Sequence, residues 1–286
     1  KMKKVLSVLL AVLMLVSVGS LFAACTKEKT DDKKESSTDT SAESSDLAYI
    51  KDKGELVIGI TLFAPMDYYA DEAETELTGF EVEFGKAVCE KLGVTPKFQV
   101  INWEAKENEL NAKNIDCIWN GFTIDDKRLA TMSISDPYMN NKQILITKAE
   151  NAEKYSAAGS LKGATVVAEK ESAGEGVAQT DAFFEGCNYI AVDSMAKAMM
   201  EVKSGSADAA VIDYVTGIGS LGEGTDYADI VIVEGASFAD EQYGIAFRKG
   251  SDVTAEVNKA RKELLADGTL QKIADKYKLG EQLIAE

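Results

Sequence analysis

Two stretches of this chain spell out the same order of elements, and that repetition limits the fold more than any other feature. Leu56-Val57-Ile58-Gly59-Ile60 is an unbroken apolar run, as expected of a strand buried on both faces. Residues 81–92 carry apolar side chains at helical spacing, and Gly93 follows as a stop. Strands at 97–100 and 115–119 flank a short helix at 107–112. The grammar then restarts: a strand at 164–168, a helix opened by the capping-box spacing of Ser172 and Glu175, a strand at 189–192, a helix at 194–203 before Gly205, and a strand at 209–213. Each round is βαβαβ, over residues 54–120 and 163–213. Such units build mostly parallel sheets through right-handed crossovers. Further strands are expected at 143–147, 230–233 and 243–247, with crossing points near 144–147 and 242–247. Helices at 254–266 and 269–277 close the pattern. The fold class is therefore α/β with two lobes, each a mostly parallel sheet flanked by helices.

The 286 residues are enough for two such lobes. The formal charge of −17 argues against nucleic acid or anionic lipid as a partner. The chain has no histidine, which removes His-based triads, His general bases and most zinc sites. Cys89, Cys117 and Cys187 match no metal spacing. Cys89 and Cys117 fall on apolar positions, as two buried thiols or as a disulfide pair.

The first residues read as an export signal. Lys3 and Lys4 precede an apolar run over 5–22, and Ala23-Ala24 stand before Cys25. The run is also as long as a membrane span. The small-residue exit and the polar tract behind it favour cleavage. Cys25 stands where a lipoprotein signal places its acylated cysteine, although Phe22 replaces the usual Leu three residues earlier. An ordinary secreted protein cut near Ala24 is the other reading. Residues 26–46 are almost devoid of apolar side chains and cannot offset chain entropy by burial, so they read as a tether. The expected division is signal 1–24, lipidated Cys25 with linker 25–46, lobe 1 at 47–144 and 243–286, and lobe 2 at 145–242.

The first round ends in Asn120-Gly121-Phe122-Thr123-Ile124-Asp125-Asp126-Lys127-Arg128. Gly121 lets a ligand approach the backbone. Thr123 offers a hydroxyl and an amide. Arg128 offers a planar fork that matches a carboxylate. The second round ends in Asp213. Ligands of such sheets gather at the carboxyl ends of strands. Facing lobes would set Arg128 and Asp213 on opposite walls of one cleft, an arrangement suited to a zwitterion.

At this point the sequence resembles the extracellular solute-binding proteins of amino-acid ABC importers, a two-lobed class. The resemblance runs from about Lys53 to Gly280. It is carried by Gly54-Glu55-Leu56-Val57-Ile58-Gly59, Leu77-Thr78-Gly79-Phe80-Glu81-Val82-Glu83, the turn from Gly121 to Arg128, Ser135-Asp136-Pro137-Tyr138 and Asp267-Gly268-Thr269-Leu270, in that order. It implies that Gly121, Thr123 and Arg128 hold a ligand α-carboxylate, that Ser172 and Ala173 add amides from a helix start, and that Asp213 takes the α-ammonium. Phe63 and Trp103 would sandwich the ligand side chain. Trp119 fits either the pocket or the core. Ala173 stands where a hydroxyl is usual, Met66 where an aromatic is usual, and Ile60 where an acid is frequent. Ile60 argues for a neutral amino acid, whereas Lys170 keeps an acidic one open. The resemblance implies a monomer with no cofactor, metal or catalytic residue, which passes its ligand to a membrane permease. Two rivals stay open: a cleft enzyme such as a dehydratase or lyase, with Glu169 as its acid, and a sensing lipoprotein.

Overall fold

The computed structural model describes residues 45–285; the expected signal, Cys25 and most of the expected tether lie outside the described residues. Helix α1 (Asp46–Lys53) opens it, with the Ser45 hydroxyl accepting from the Ala48 N–H at 2.9 Å. Asp46 is largely buried and ion-paired to Arg248 at 2.9 Å. The tether expected through Asp46 therefore ends earlier, because this carboxylate belongs to the folded unit.

The first round follows as β1 (Glu55–Ile60), a small hairpin of β2 (Tyr68–Tyr69) and β3 (Leu77–Thr78), α2 (Phe80–Leu92), β4 (Thr95–Val100), α3 (Lys106–Asn111) and β5 (Cys117–Thr123). Then come α4 (Asp126–Thr131), β6 (Met132–Ile134) and β7 (Met139–Lys148). The second round is β8 (Thr165–Glu169), α5 (Ala173–Thr180), β9 (Asn188–Val192), α6 (Met195–Ser204) and β10 (Ala209–Asp213). Helix α7 (Tyr214–Ser220), strand β11 (Ile230–Arg248), α8 (Val253–Ala266) and α9 (Thr269–Lys276) complete the chain.

In sheet order the strands run β4-β1-β5-β11-β7-β10-β8-β9, with β6 also on β11. Both outer triplets, β4-β1-β5 and β9-β8-β10, are parallel, as the repeated grammar requires. The antiparallel strands β11 and β7 join them. The strand expected to stop at Trp119 runs on through Thr123. The two strands expected at 230–233 and 243–247 are one, β11, with register shifts between Ile232 and Ser237 and between Phe238 and Asp240.

This pairing also moves the crossing between lobes. Gln143 to Thr147 pair with β10, inside lobe 2. Gly244 and Ala246 pair with β5, inside lobe 1. The strands therefore pass between lobes at about 139–142 and 240–243, earlier than 144–147 because β10 already claims those residues.

Alternate residues of β1 enter different cores: Leu56, Ile58 and Ile60 one, Val57 another. This explains its unbroken apolar run. The largest core holds Trp119, which meets Phe84 edge-on at 4.8 Å between ring centres, with Tyr138 against the same ring. Trp119 is thus core, not pocket. Cys89 and Cys117 are buried and unbonded. Gly79 leads into α2 at φ 129°, where an added Cβ would lie 2.0 Å from the Met66 carbonyl oxygen. Only glycine fits there.

Candidate functional site

The ends of β1, β5, β8 and β10 converge on one tight cavity between the lobes. Thr61, Phe63, Trp103, Asn120, Gly121, Thr123, Arg128, Glu169, Ser172, Ala173, Met195 and Asp213 line it, and about 20 Å³ of it accepts a water-sized sphere. That is room for about one water, so the lobes are closed. Contacts across the mouth agree: Lys170 pairs with Glu104 at 2.7 Å, Lys106 Nζ donates to the Glu171 carbonyl at 3.3 Å, and Ser220 Oγ donates to the Ala64 carbonyl at 3.1 Å. A larger groove of about 740 Å³ follows the crossing strands past Asn140, Lys142 and Glu241, but it is open to solvent and brings no buried cation and anion together. All eight residues expected at a ligand, namely Phe63, Trp103, Gly121, Thr123, Arg128, Ser172, Ala173 and Asp213, line the tight cavity.

Arg128 is 9% exposed and firmly aimed. Nη1 donates to the Thr123 carbonyl at 2.7 Å, Nε lies 3.5 Å from Asp125 Oδ2, and the guanidinium rests over the Phe122 ring at 4.4 Å. Asp125 also accepts the Arg128 N–H at 2.8 Å as the cap of α4. Among the described residues, Nη2 finds no protein acceptor within hydrogen-bonding range. Burial holds the Arg128 pKa below its ordinary value, against the pull of Asp125, Glu241 and Asp213.

Asp213 is 7% exposed and comes from the other lobe. It precedes α7 but makes no capping bond; Asn141 Oδ1 accepts the Val215 N–H at 3.1 Å in its place. The carboxylate is held by Tyr243 Oη, which donates at 2.6 Å, and by Gln143 Nε2. Gln143 Nε2 also donates to Glu241 at 2.7 Å. Burial raises the Asp213 pKa; the bonds from Tyr243 and Gln143 and the Arg128 charge oppose it.

Gly121 departs from its expected part. Its φ of +53° suits glycine, and an added Cβ would lie 3.0 Å from the Phe63 ring. Its N–H, however, donates to Glu81 Oε1 at 2.9 Å, away from the cavity. Glu81 also accepts from Tyr138 Oη. Beneath it, Asp67 is fully buried and has no N–H or O–H donor. Burial first, then the Glu81 charge, pushes the Asp67 pKa well up, which favours its neutral form.

At the start of α5, Ser172 Oγ accepts the Glu175 N–H at 3.1 Å. Glu175 Oε2 reaches back to the Glu171 N–H at 2.7 Å, one residue before the position a capping box uses. The Ser172 N–H, expected to serve a ligand, donates instead to the Glu169 carbonyl at 3.3 Å, whereas the N–H of Ala173, which lines the cavity, has no backbone partner among the described residues.

Four lining residues were not anticipated as contacts: Thr61, Asn120, Glu169 and Met195. Thr61 and Asn120 bind each other, Thr61 N–H to Asn120 Oδ1 at 2.6 Å and Asn120 Nδ2 to Thr61 Oγ1 at 2.7 Å. Glu169 is 5% exposed, and its Oε1 has no partner. The sequence signal for it was an acid closing an otherwise apolar strand.

The sequence profile described as "Bacterial extracellular solute-binding proteins, family 3" matches residues 56–281. The L-cystine-binding protein TcyJ of Escherichia coli K12 is 30% identical, with 81% of this chain and 85% of that protein covered. The L-cystine-binding protein TcyA of Bacillus subtilis 168 is 31% identical, with 94% and 96% covered. Among solved structures, the ancestral amino acid-binding protein AncCDT-1, a precursor of cyclohexadienyl dehydratase, superposes with a TM-score of 0.73 at 29% identity, covering 82% of this chain and 99% of that one.

Proposed function

From a chain that belongs to the bacterial extracellular solute-binding proteins of family 3, we propose a receptor that binds one free L-amino acid in the interlobe cleft and delivers it to the permease of an ABC importer. The observation that carries this reading is the pair of buried, opposite charges, Arg128 from lobe 1 and Asp213 from lobe 2, on one cavity. The α-carboxylate takes Arg128 Nη2, the Thr123 side chain and the amide of Ala173 at the start of α5. The α-ammonium takes Asp213. Phe63 and Trp103 flank the side chain. Gly121 contributes its lack of a side chain, since its N–H serves Glu81.

A ligand that touches both walls only when they meet shifts the protein toward the closed form. The motion turns on the crossing residues 139–142 and 240–243. The closed form, a monomer tethered by a lipid on Cys25 at the outer face of the membrane, is what the permease receives. Relatives bind amino acids of different charge: cystine, arginine and glutamine appear in their names. The expectation of a neutral ligand leaned on Ile60, and Glu169 in the same cavity weighs against it. We read the chain as a non-enzyme because the similar proteins are named as binding proteins and Glu169 has no partnered base beside it.

A thermal-shift panel of the twenty amino acids plus ornithine and cystine on the purified protein tests the reading. At least one raises Tm, and Arg128→Ala removes the shift while leaving the unliganded Tm within a few degrees. A panel with no response, or an Arg128→Ala variant that responds like the parent, refutes it.

A further inference from the structure

We propose that Glu169 sets side-chain specificity, and that the ligand is an amino acid whose side chain ends in a positively charged N–H donor: the ammonium of lysine or ornithine, the guanidinium of arginine, or the second ammonium of cystine. This deepens the reading above and rests on it.

Glu169 closes strand β8, so it enters the cavity from lobe 2, across from Thr61, Phe63 and Trp103 of lobe 1. Every other charged group nearby is engaged by protein. Arg128 is fixed by the Thr123 carbonyl and Asp125. Asp213 accepts from Tyr243 and Gln143. Lys106, on α3, donates to the carbonyls of Trp103 at 3.2 Å and Glu171 at 3.3 Å, and stands over the Trp103 ring at 4.5 Å. It forms no ion pair with Glu169. The Glu169 carboxyl, at 5% exposure, makes no hydrogen bond to any described residue. A buried carboxyl oxygen left without a protein donor is costly, and a ligand that brings an N–H donor to it relieves that cost.

The electrostatics agree. Burial first, then Asp213, raises Glu169 from 4.5 to about 8, while Lys106 pulls it down. Around a neutral side chain, closure at pH 7 forces Glu169 to take up a proton. Around a cation it stays ionised and paired. The side walls suit the same ligand, since the aromatic residues Phe63 and Trp103 line the cavity and can pack against an alkyl stem or a guanidinium plane. The sequence lacks an acid at Ile60, on lobe 1. Glu169 supplies one from lobe 2, so the side-chain charge is read only as the lobes meet.

Calorimetry with L-arginine, L-lysine, L-ornithine, L-cystine, L-glutamine and L-leucine on the parent, Glu169→Gln and Asp213→Asn tests the proposal. The parent binds at least one of the first four more tightly than glutamine and leucine. Glu169→Gln weakens that ligand roughly tenfold to 100-fold, as loss of a charged hydrogen bond should, and leaves glutamine within threefold. Its unliganded Tm stays level or rises. The proposal is overturned if glutamine or leucine binds most tightly to the parent, or if Glu169→Gln leaves the ratio of ligands unchanged. An unchanged ratio beside a loss of binding in Asp213→Asn sinks the specificity role alone. Absence of binding by all six ligands in the parent sinks the site reading with it.

Discussion

Replacing Asp213 with Asn isolates the charge of one wall of the cleft. The swap keeps both inner bonds. Asn Oδ1 still accepts from Gln143 Nε2, and the new amide donates to Tyr243 Oη, which reverses its role. What disappears is the negative charge that faces a ligand ammonium. A hydrogen bond to a charged group contributes about 1.5–3 kcal/mol, and a buried charge stranded by loss of its partner costs about 3–5 kcal/mol. A loss near 3 kcal/mol, roughly 150-fold in Kd, is expected. Stability moves the other way. Burial already raises the Asp213 pKa, so a neutral side chain relieves desolvation and the unliganded Tm holds or rises. Calorimetric titration gives the affinity, and differential scanning the Tm. An affinity within threefold of the parent refutes the ammonium role. A joint fall of affinity and Tm makes Asp213 a structural residue instead.

Other consequences can be checked on the same protein. Burial raises Glu169 to about 8 and Glu241 to about 7, each from 4.5. A raised carboxyl stabilises the fold while protonated; this contribution is complete below about pH 4.5 and lost as pH climbs through 7 and 8. Lys106, lowered to about 8 from 10.5, adds stability only above pH 8 and does not offset the loss. Scanning calorimetry of the unliganded protein should show Tm falling between pH 5 and pH 8, less steeply in Glu169→Gln; a rising Tm contradicts the burial argument. Trp119→Ala deletes a fully buried ring packed on Phe84 and should cost about 3–5 kcal/mol in urea denaturation, a cost under 1 kcal/mol being incompatible with its place in the core. Lys170→Ala removes a half-exposed ion pair across the mouth; it should weaken ligand binding by less than about 1 kcal/mol, with the difference fading at high salt. A larger, salt-insensitive effect would assign Lys170 to the ligand itself.

Much of this architecture was legible in the sequence because β1, β5, β8 and β10, the inner strands of the two parallel triplets, are buried on both faces and write themselves as apolar runs. Helix ends were equally plain at Gly93, Ser172 and Gly205, where local chemistry decides. The crossing region was not. Residues 234–242 of β11 mix exposed polar positions with Ala236 and Phe238, which pack into a core of lobe 2, and they carry neither apolar run nor clean alternation. The cavity residues Arg128 and Asp213 were readable as charges at strand exits. The direction of the Gly121 N–H was not, because it depends on Glu81, forty residues earlier. Glu81 did leave a mark, an acid within the apolar stripe of α2, as Glu169 did at the end of β8.

The buried carboxyls of Asp67 and Glu81 have a practical corollary for anyone who wishes to move this pocket elsewhere. The visible walls rest on a hidden polar layer: Glu81 grips the Gly121 amide, Tyr138 donates to Glu81, and the Glu81 charge, after burial, raises the pKa of Asp67. A transplant of the lining residues alone would leave that amide bare in a foreign interior. The portable unit is two layers deep, and a designer has to copy its foundations along with its face.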